Sequence, residues 1–558
     1  MSGKEFVLPL YFIRRQTRFS LNEKKLVIFL LSTSLATLLL IFSSLPPNSQ
    51  FNGDELNKFF VPKLNNSKII HQENLHNHEI NFKNKKLGND NQKPMHDVRP
   101  EIDAKNLQRR ETVKNMTLLA WNGYKKYAWG QNELKPIRKS AHQPGIFGNA
   151  VELGASIVDS LDTLHIMGLD EEVKLGYEWI KQKFNFKVNT QMSAFETNIR
   201  FVGGFLAMYA LTNDKLYLDK AVEVADSLMP IFNSPTGIPY SLFNPVSKTV
   251  SNYNWAAGSC SILAEIGTIS LEFQYLTDMT GNKIYQEKID KIYDTLLKNK
   301  NQNGLYYNYI NPSTGQYCGS QASIGGLADS FYEYLLKFWL YKKKADKNIL
   351  KMYLDSIDAL KSHVYSKSKG NLGYFGEYSN NYVTPKMGHL ACFAGGMFAL
   401  TAIQVDELSE EQKKMYKDMA IDITNTCHES YIRTATHLGP ESFSFDSTNE
   451  AYAADKYYIL RPEVIESYFY LWRITKDEKY RDWAWDAVEA IEKYCKTENG
   501  YSGISDVNSP NPNKDDVQQS FFLAETLKYL YLIFSDDDAI SLDKYVFNTE
   551  AHPFPIRN

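Results

Sequence analysis

The sequence has little cysteine and little net charge of either sign. Five cysteines in 558 residues are too few for a disulfide scaffold, and their odd number leaves at least one thiol unpaired or intermolecular. Sixty-two Lys and Arg residues nearly balance sixty-five Asp and Glu residues, and the resulting net charge of −3 gives no support for a nucleic-acid-binding protein. The hydrophobic fraction of 43% and the charged fraction of 23% exclude a mostly disordered or collagen-like chain.

Aromatic residues, by contrast, are abundant. Thirty-six Tyr and 31 Phe contribute to an aromatic fraction of 13%, enough to fill a large core and to line a pocket with rings. At roughly 100–200 residues per domain the length fits three or four domains, although large enzymes often form one unit. Composition alone therefore leaves the number of domains open.

One uncharged segment departs from the average composition. Residues 26–45 read LVIFLLSTSLATLLLIFSSL. Twenty helical residues span roughly 30 Å, the thickness of a bilayer core. The basic residues of the preceding tail predict that residues 1–25 are cytoplasmic and that the chain after the anchor is lumenal; they are Arg14, Arg15, Arg18, Lys24 and Lys25. A cleaved signal peptide is the alternative, but its apolar region would be shorter, and Pro46-Pro47 replaces the expected cleavage site.

The next segment, residues 46–110, is rich in Asn, Lys, His and Asp, which is typical of a flexible stem. Two glycosylation sequons, Asn65-Asn66-Ser67 and Asn115-Met116-Thr117, are consistent with a lumenal location. Sequons also occur by chance, so they are weak evidence alone. We expect the remaining residues, 111–558, to form one domain.

Amphipathic helical segments recur along this domain. They open near Tyr217, Tyr285, Tyr353, Tyr416 and Tyr480, with spacings of 68, 68, 63 and 64 residues. A fixed period of this size indicates stacked supersecondary units. Between them lie segments that are apolar on nearly all sides and are therefore expected to be buried.

Each apolar segment carries a polar residue near its start. These residues are Glu196, Glu265, Asp329, His389, Glu463 and Glu525, spaced by 69, 64, 60, 74 and 62 residues. Together with a shorter-spaced pair around Asp159 and an opening helical segment, we count seven inner and seven outer helices. Seven helical hairpins predict an all-α fold, a closed (α/α)7 barrel.

Parallel inner helices would bring their starting residues to one mouth of the barrel. That places Glu196, Asp329, His389, Glu463 and Glu525 together. Singly, each carboxylate is equally well explained as a charge favoured by the helix macrodipole. Five such residues at one mouth favour a site instead, because carboxylates are rarely buried without a partner or a role. Carboxyls with aromatics and few basic residues suit glycoside hydrolysis and do not suit phosphate.

Several long motifs resemble the class I α-1,2-mannosidases, glycoside hydrolase family 47. They occur in family order from residue 115 onward and include GASIVDSLDTLHIMGL (154–169), FETNIRFVGG (195–204), LADSFYEYLLK (327–337), KMGHLACFAGGMFAL (386–400), YYILRPEVIESYFYLWR (457–473) and FNTEAHPFPI (547–556). The resemblance implies an (α/α)7 barrel whose C-terminal hairpin enters the barrel, and an inverting hydrolase that removes α-1,2-linked mannoses from high-mannose N-glycans, toward the five-mannose form.

The resemblance also implies catalytic roles. Glu196 in FETNIR matches the proposed general acid, Asp329 in LADSFYEY matches a second candidate for that role, and Glu463 in RPEVIES matches the general base. An inverting pair needs room for a water opposite the leaving group. The sequence does not decide between Glu196 and Asp329, because their pKa values depend on burial and neighbours.

A calcium site is implied by the last motif, in which Thr549 matches a residue that binds Ca²⁺ through its hydroxyl and carbonyl oxygens. Carboxylates expected to hold the ion's waters are Glu466, Glu525 and Glu550. Positions matching sugar contacts are Arg200, His389, Arg461, Phe521, Glu525 and Glu550. Cys392 and Cys427 match the family's disulfide, which leaves Cys260, Cys318 and Cys495 unpaired or otherwise bonded.

Two motif details, KMGHLACFAGG and DDVQQSFF, resemble the Golgi branch of the family. With the anchor and stem they imply a single-pass type II Golgi membrane protein, with the endoplasmic reticulum as the alternative. One rival function is a mannose-recognising quality-control lectin of the same fold; the retained carboxylates argue against it. A second rival, a toroidal hydrolase of another sugar polymer, has only the helical repeat in its favour.

Overall fold

The computed structural model describes residues 104–148, 152–299 and 303–557. The predicted cytoplasmic tail, membrane anchor, Asn65 sequon and most of the stem lie outside these residues. No helix within the described ranges combines the length and the apolar character needed to cross a bilayer.

The described chain is mainly helical, with fourteen helices of at least seven residues. In chain order they are α1 (Ala104–Tyr127), α2 (Ala155–Ile166), α3 (Asp170–Lys183), α4 (Gly203–Thr212), α5 (Lys215–Leu228), α6 (Ser270–Thr280), α7 (Ile284–Lys298), α8 (Asp329–Tyr341), α9 (Lys347–His363), α10 (Ala394–Gln404), α11 (Glu410–Ile432), α12 (Glu463–Thr475), α13 (Lys479–Tyr494) and α14 (Leu527–Ile533).

The even-numbered helices pack against one another in chain order. Each even-numbered helix from α2 to α12 contacts the next even-numbered helix along the chain. The last contact returns to the first, because the residues that lead into α14 pack on α2. Each odd-numbered helix covers an even-numbered one: α3 packs on α2, α5 on α4, and so on to α13 on α12, while α1 packs on α14.

The two sets differ in burial as the sequence predicted. In α5 the buried residues recur every three or four positions, at Tyr217, Ala221, Val224, Ala225 and Leu228, so one face packs inward and the other meets solvent. In α8, by contrast, twelve of thirteen residues are buried. A helix that is apolar nearly all round is stable only where neighbours cover every side, which defines the even-numbered set as the interior.

Short antiparallel strands occupy the connections. They are β1 (Glu133–Lys135), β2 (Ser140–His142), β3 (Met192–Ser193), β4 (Leu242–Phe243), β5 (Val250–Ser251), β6 (Ser261–Ile262), β7 (Tyr309–Ile310), β8 (Tyr365–Lys367), β9 (Gly373–Phe375), β10 (Glu377–Ser379), β11 (Tyr382–Thr384), β12 (Lys386–Gly388), β13 (Ser442–Ser444), β14 (Tyr452–Asp455), β15 (Lys496–Thr497), β16 (Gly500–Tyr501), β17 (Tyr545–Phe547) and β18 (Pro553–Pro555). They form sheets of only two or three strands.

The C-terminal hairpin β17–β18 lies among the interior helices. Val546 pairs with Phe554 across the hairpin. The Phe547 ring packs on Phe469 of α12 and Tyr529 of α14, and the Phe554 ring packs on Tyr275 of α6. The turn between its two strands, residues 548–552, is therefore held in the interior rather than in solvent.

The ordered domain begins earlier than composition predicted. Helix α1 starts at Ala104, inside the segment interpreted as stem up to residue 110. Arg109 explains the difference: it is 7% exposed, its Nη2 lies 2.8 Å from Asp482 Oδ1, and its guanidinium packs over the Trp485 ring. Contacts with α13 therefore stabilise a helix in a segment that its polar composition predicted to be flexible.

The Asn115 sequon lies in the middle of α1. Asn115 is exposed, but Thr117 is fully buried, and its hydroxyl donates a hydrogen bond to the Val113 carbonyl 3.0 Å away. Modification of this sequon stays a prediction, and in the folded helix its threonine has no access to solvent.

Two disulfides are present. Cys392–Cys427 ties the start of α10 to α11, which confirms the predicted pair. Cys260–Cys318 is a second bridge, between the segments preceding β6 and following β7, and Cys495 is a buried free thiol. The three cysteines left open by the sequence are thus one pair and one unpaired residue.

Candidate active site

A cavity of about 390 Å³ opens among the interior helices and collects nearly every predicted site residue. Its lining includes Glu196, Arg200, Asp329, Arg461, Glu463, Glu466, Phe521, Glu525, Thr549 and Glu550. His389 is buried behind the lining, with its ring nitrogen Nδ1 2.6 Å from Glu463 Oε2. The site residues predicted from five distant motifs therefore share one pocket.

The positions of the carboxyls follow from where the interior helices begin. Asp329 and Glu463 are the first residues of α8 and α12. Glu196 ends a short helical turn, Ala194–Glu196, whose cap is Ser193: the Glu196 N–H donates to Ser193 Oγ at 3.2 Å. His389 opens the 3₁₀ turn before α10. As predicted, helix starts converge on one cavity.

Two helical segments that line the cavity, one before α4 and one before α14, are irregular. Residues Thr197–Val202 and Phe522–Thr526 are π-helical, and they carry Arg200 and Glu525 respectively. A π-turn adds a residue per turn and reorients the side chains, and such turns are frequent at functional sites. The sequence pattern did not predict either irregularity.

Glu463 is held in its ionised form. Burial by itself raises its pKa, but the hydrogen bond from His389 and the positive charge of Arg461 outweigh burial, so the pKa of Glu463 lies below its ordinary value. With Glu463 ionised, His389 Nδ1 donates to it, and His389 Nε2 shares a hydrogen bond of 2.7 Å with the Tyr431 hydroxyl. Arg461 is itself oriented by paired hydrogen bonds of 2.6 and 2.7 Å to Glu441.

Asp329 behaves in the opposite way. Burial raises its pKa to about 7, and the negative charges of Glu333 and Glu463 add to that effect, while the Ser330 N–H and hydroxyl oppose it. The carboxyl therefore retains a proton near neutrality. The cavity thus contains one carboxylate that is ready to accept a proton and one carboxyl that is ready to donate one.

Glu196 is bound to a cation instead. Its Oε2 accepts a 2.8 Å hydrogen bond from Arg200 Nε. The other end of the guanidinium bonds Asp159 and Ser520 at 3.2 and 3.1 Å and also Glu550, and it lies over the Phe521 ring. Arg200 therefore organises a chain of carboxylates along one side of the cavity.

Beyond these groups the cavity is rich in carboxyl groups. Burial and mutual repulsion raise the pKa of Glu466 to about 8 and raise those of Glu525 and Glu550 well above the ordinary value. Thr549, in the turn of the C-terminal hairpin, lines the same region. Among the described residues no three His, Cys, Asp or Glu side chains converge as direct metal ligands. Any cation here would rely on Thr549 oxygens and waters rather than on a carboxylate cage.

Sequence reasoning missed several residues of the site. Glu265 lines the cavity beside Glu196, and burial raises its pKa to about 8. Its place at the repeated polar position was a usable signal. Glu333 also lines the cavity and bonds the buried ammonium of Lys337, one turn along α8. Glu333 and Lys337 both lie within the LADSFYEYLLK motif, so the sequence could have indicated this ion pair.

A second buried network, also missed, fixes the hairpin turn. His552 Nδ1 lies 2.9 Å from Asp162 Oδ2, and its Nε2 lies 3.3 Å from Asp159 Oδ1. Lys528 donates to Asp162 and to the Ala551 carbonyl. These residues are far apart in sequence and follow no shared pattern, so only the fold reveals the network.

Comparison with known proteins identifies relatives over most of the chain. The model of glycosyl hydrolase family 47 matches residues 116–556. Human mannosyl-oligosaccharide 1,2-alpha-mannosidase IB is 53% identical over 452 residues, which are 80% of this chain and 70% of that protein. Mannosyl-oligosaccharide alpha-1,2-mannosidase IA of Drosophila melanogaster is 51% identical over 460 residues, 82% and 68% of the two chains. The solved alpha-1,2-mannosidase of Trichoderma reesei superposes with a TM-score of 0.74 at 33% identity, covering 81% of this chain and 99% of the other.

Proposed function

The chain belongs to glycosyl hydrolase family 47, and from that membership we propose that it is an exo-acting α-1,2-mannosidase of N-glycan processing. It hydrolyses terminal α-1,2-linked mannose from mannosyl-oligosaccharides. The cavity agrees with this activity, because carboxyls, one aromatic wall and few cations suit a neutral polyhydroxyl substrate.

We propose an inverting mechanism with Glu463 as base and Asp329 as acid. The observation that carries this assignment is the opposite displacement of their two pKa values within one cavity. Glu463 removes a proton from a water, whose oxygen attacks the anomeric carbon on the face opposite the leaving group. The glycosidic carbon–oxygen bond breaks, and Asp329 protonates the departing oxygen. The products are free mannose and an oligosaccharide one sugar shorter.

Glu196 receives a different role in this scheme. Its Oε2 accepts a hydrogen bond from Arg200 Nε, so this carboxyl is engaged by a cation within the cavity. We propose that Glu196 and Arg200 accept and donate hydrogen bonds to sugar hydroxyls and so orient the ring. Arg461 and Phe521 complete the proposed sugar contacts, and Phe521 offers a ring face. His389, predicted as a sugar contact, is buried behind the lining and acts through Glu463.

We also propose that the seven helical pairs close into an (α/α)7 barrel with the C-terminal hairpin inside. Support comes from the cyclic order of contacts among the even-numbered helices and from the ring contacts of Phe547 and Phe554. Such a barrel would present the helix starts at one end as an open mouth and would seal the other end with the hairpin.

We propose Ca²⁺ as the cofactor, held by the hydroxyl and carbonyl oxygens of Thr549. The surrounding carboxyls Glu466, Glu525 and Glu550 would hold its waters, and a bound cation would favour the ionised forms of these carboxyls. When bound, the ion would accept sugar hydroxyl oxygens as ligands and so orient the sugar. Thr549 is suited to this because the hairpin fixes its backbone, with its N–H 3.4 Å from the Tyr334 hydroxyl.

We place the enzyme in the Golgi membrane as a type II protein that acts on high-mannose N-glycans of glycoproteins. The apolar segment 26–45, the basic residues before it and the motifs of the Golgi branch support this location. The endoplasmic reticulum is the alternative compartment.

The test of the function is incubation of the full chain, purified in detergent, with a nine-mannose glycan in the presence and absence of EDTA. We expect stepwise release of mannose toward the five-mannose form, and loss of release with EDTA. Binding of the glycan with no shortening would contradict the enzyme and favour a lectin, and release of glucose from another polymer would contradict the substrate.

A further inference from the structure

A tryptophan stands exposed at the rim of the cavity. Trp255 lines the cavity and is 61% exposed, an unusual position for the largest apolar side chain. Its ring stacks on that of Tyr253, with centroids 5.1 Å apart and an interplanar angle of 24°. One face of the indole is thus covered by Tyr253, while much of its surface meets solvent beside the catalytic cavity.

The loop that carries this ring pair is fixed by covalent and polar contacts. Asn252 accepts a hydrogen bond from the Ser241 N–H and donates to the Ser259 carbonyl and to Ser261 Oγ. The Cys260–Cys318 disulfide closes the loop at its far end, and β6 pairs with β7 immediately after it. A loop held in this way presents its rings without a large ordering penalty on binding.

The ring pair leads from the catalytic groups outward. Tyr253 is only partly buried, yet burial and the nearby negative charges of Glu265 and Glu196 raise its pKa. Both rings line the same cavity as Glu196 and Glu265, and the more exposed Trp255 continues the wall toward solvent. The pair, Tyr253 and Trp255, is called here the rim platform.

Single exposed apolar residues need no special explanation on most surfaces. The rim platform differs because two stacked rings share a cavity with the catalytic carboxyls and sit on a braced loop. Flat aromatic faces pack on the C–H faces of pyranose rings, and mannose has no charge to be repelled or neutralised here. A sugar bound on the rim platform would belong to the same oligosaccharide whose end lies in the cavity.

We propose that the rim platform is a subsite for a mannose residue of the oligosaccharide that lies outside the two sugars joined by the cleaved bond. This inference rests on the proposed mannosidase function. It makes Trp255 a specificity-determining residue that favours long, branched glycans over short ones, while Glu463 and Asp329 act equally on both.

The test compares two substrates in the full chain. α-1,2-Mannobiose supplies only the two sugars of the cleaved bond, whereas a nine-mannose glycan also reaches the rim. We expect Trp255→Ala to lower the ratio of kcat/KM for the nine-mannose glycan to that for the disaccharide by roughly tenfold, because a truncated aromatic anchor typically removes that much binding. Trp255→Phe keeps a ring and should restore most of the ratio.

Tyr382→Ala is the matched control, because Tyr382 is 66% exposed on β11 and does not line the cavity. It should leave the ratio unchanged. An unchanged ratio in Trp255→Ala, or an equal loss on both substrates, would overturn the rim platform. Failure of the unmodified chain to cleave either substrate would instead overturn the mannosidase function, so the two outcomes are distinct.

Discussion

His389 and Glu463 lie 74 residues apart in the chain and share a hydrogen bond of 2.6 Å between Nδ1 and Oε2. The bond joins the starts of two adjacent helical pairs, and Tyr431 holds the far side of the imidazole. Because Tyr431 fixes the His389 ring and that ring fixes Oε2 of Glu463, the carboxylate is held in one orientation toward the attacking water.

Replacing the proposed base should stop turnover while sparing binding. We expect Glu463→Gln to lower kcat by about a thousandfold, since general-base catalysis contributes roughly 10²–10⁴. The amide keeps the size of the side chain, so affinity for a non-hydrolysable thio-linked disaccharide, measured by calorimetry, should change little. Glu410→Gln, on the exposed surface of α11, is the control. Near-normal kcat in Glu463→Gln would exclude this residue as base.

Removing the imidazole should shift the acidic side of the pH profile. The His389 hydrogen bond helps to keep the pKa of Glu463 below its ordinary value, so the base stays ionised in acid. In His389→Ala that pKa rises, and the acidic limb of kcat/KM should move to higher pH. His363→Ala, an exposed histidine at the end of α9, should leave the limb in place. A limb that stays fixed in His389→Ala would refute the coupling.

The general acid can be identified by using a substrate whose leaving group departs without being protonated. Because Asp329 has a pKa of about 7, the alkaline limb of the profile should fall near that value as the carboxyl loses its proton. Asp329→Asn should lose activity on mannobiose by about 10²–10⁴ but retain much of it on α-mannosyl fluoride, measured by fluoride release. If Glu196→Gln shows this selective retention and Asp329→Asn does not, the acid is Glu196.

Calcium affinity should depend on the hairpin threonine. Loss of the Thr549 hydroxyl removes one of few protein oxygens, and we expect Thr549→Ala to raise the dissociation constant for Ca²⁺ by about tenfold, or roughly 1.4 kcal/mol. The measurement is the rise of Tm with added Ca²⁺, which follows the binding free energy. Thr314→Ala, at an exposed loop, is the matched control. An unchanged calcium titration would count against Thr549 as a ligand.

The Cys392–Cys427 bridge should stabilise the fold more than it affects chemistry. It closes a loop of 35 residues between the start of α10 and α11. Its removal in the Cys392→Ser, Cys427→Ser double variant is expected to lower the free energy of unfolding by about 3–4 kcal/mol on the loop-entropy model. Denaturant unfolding gives the value, and reductant should erase the difference from the unmodified chain. Equal stability under oxidising conditions would contradict it.

The architecture was predictable because its cause is periodic. An apolar interior helix and an amphipathic cover recur about every 60–74 residues, and both patterns can be read directly from the letters. Positions such as Asp329 and Glu463 could be paired from the sequence because each begins an interior helix. Glu265 occupies the same repeated position, and it also lines the cavity.

Other features lie beyond such reasoning. The His552, Asp162 and Lys528 network brings together residues separated by up to 390 positions, and no local pattern encodes it. The pKa order of Asp329 and Glu463 depends on burial and on neighbours from other helices, so the sequence left the acid undecided. The rim platform depends on a loop conformation, which propensities do not specify.

The interior position of the C-terminal hairpin has a consequence for biosynthesis. Its turn and strands bond or pack on α2, α6, α12 and α14, and residues 545–555 leave the ribosome after all four helices. Synthesis at about 5–20 residues per second separates α2 from the hairpin by tens of seconds. Until then Asp159 and Asp162 of α2 have no His552 beside them. Insertion of the hairpin therefore follows the synthesis of every helix that it contacts.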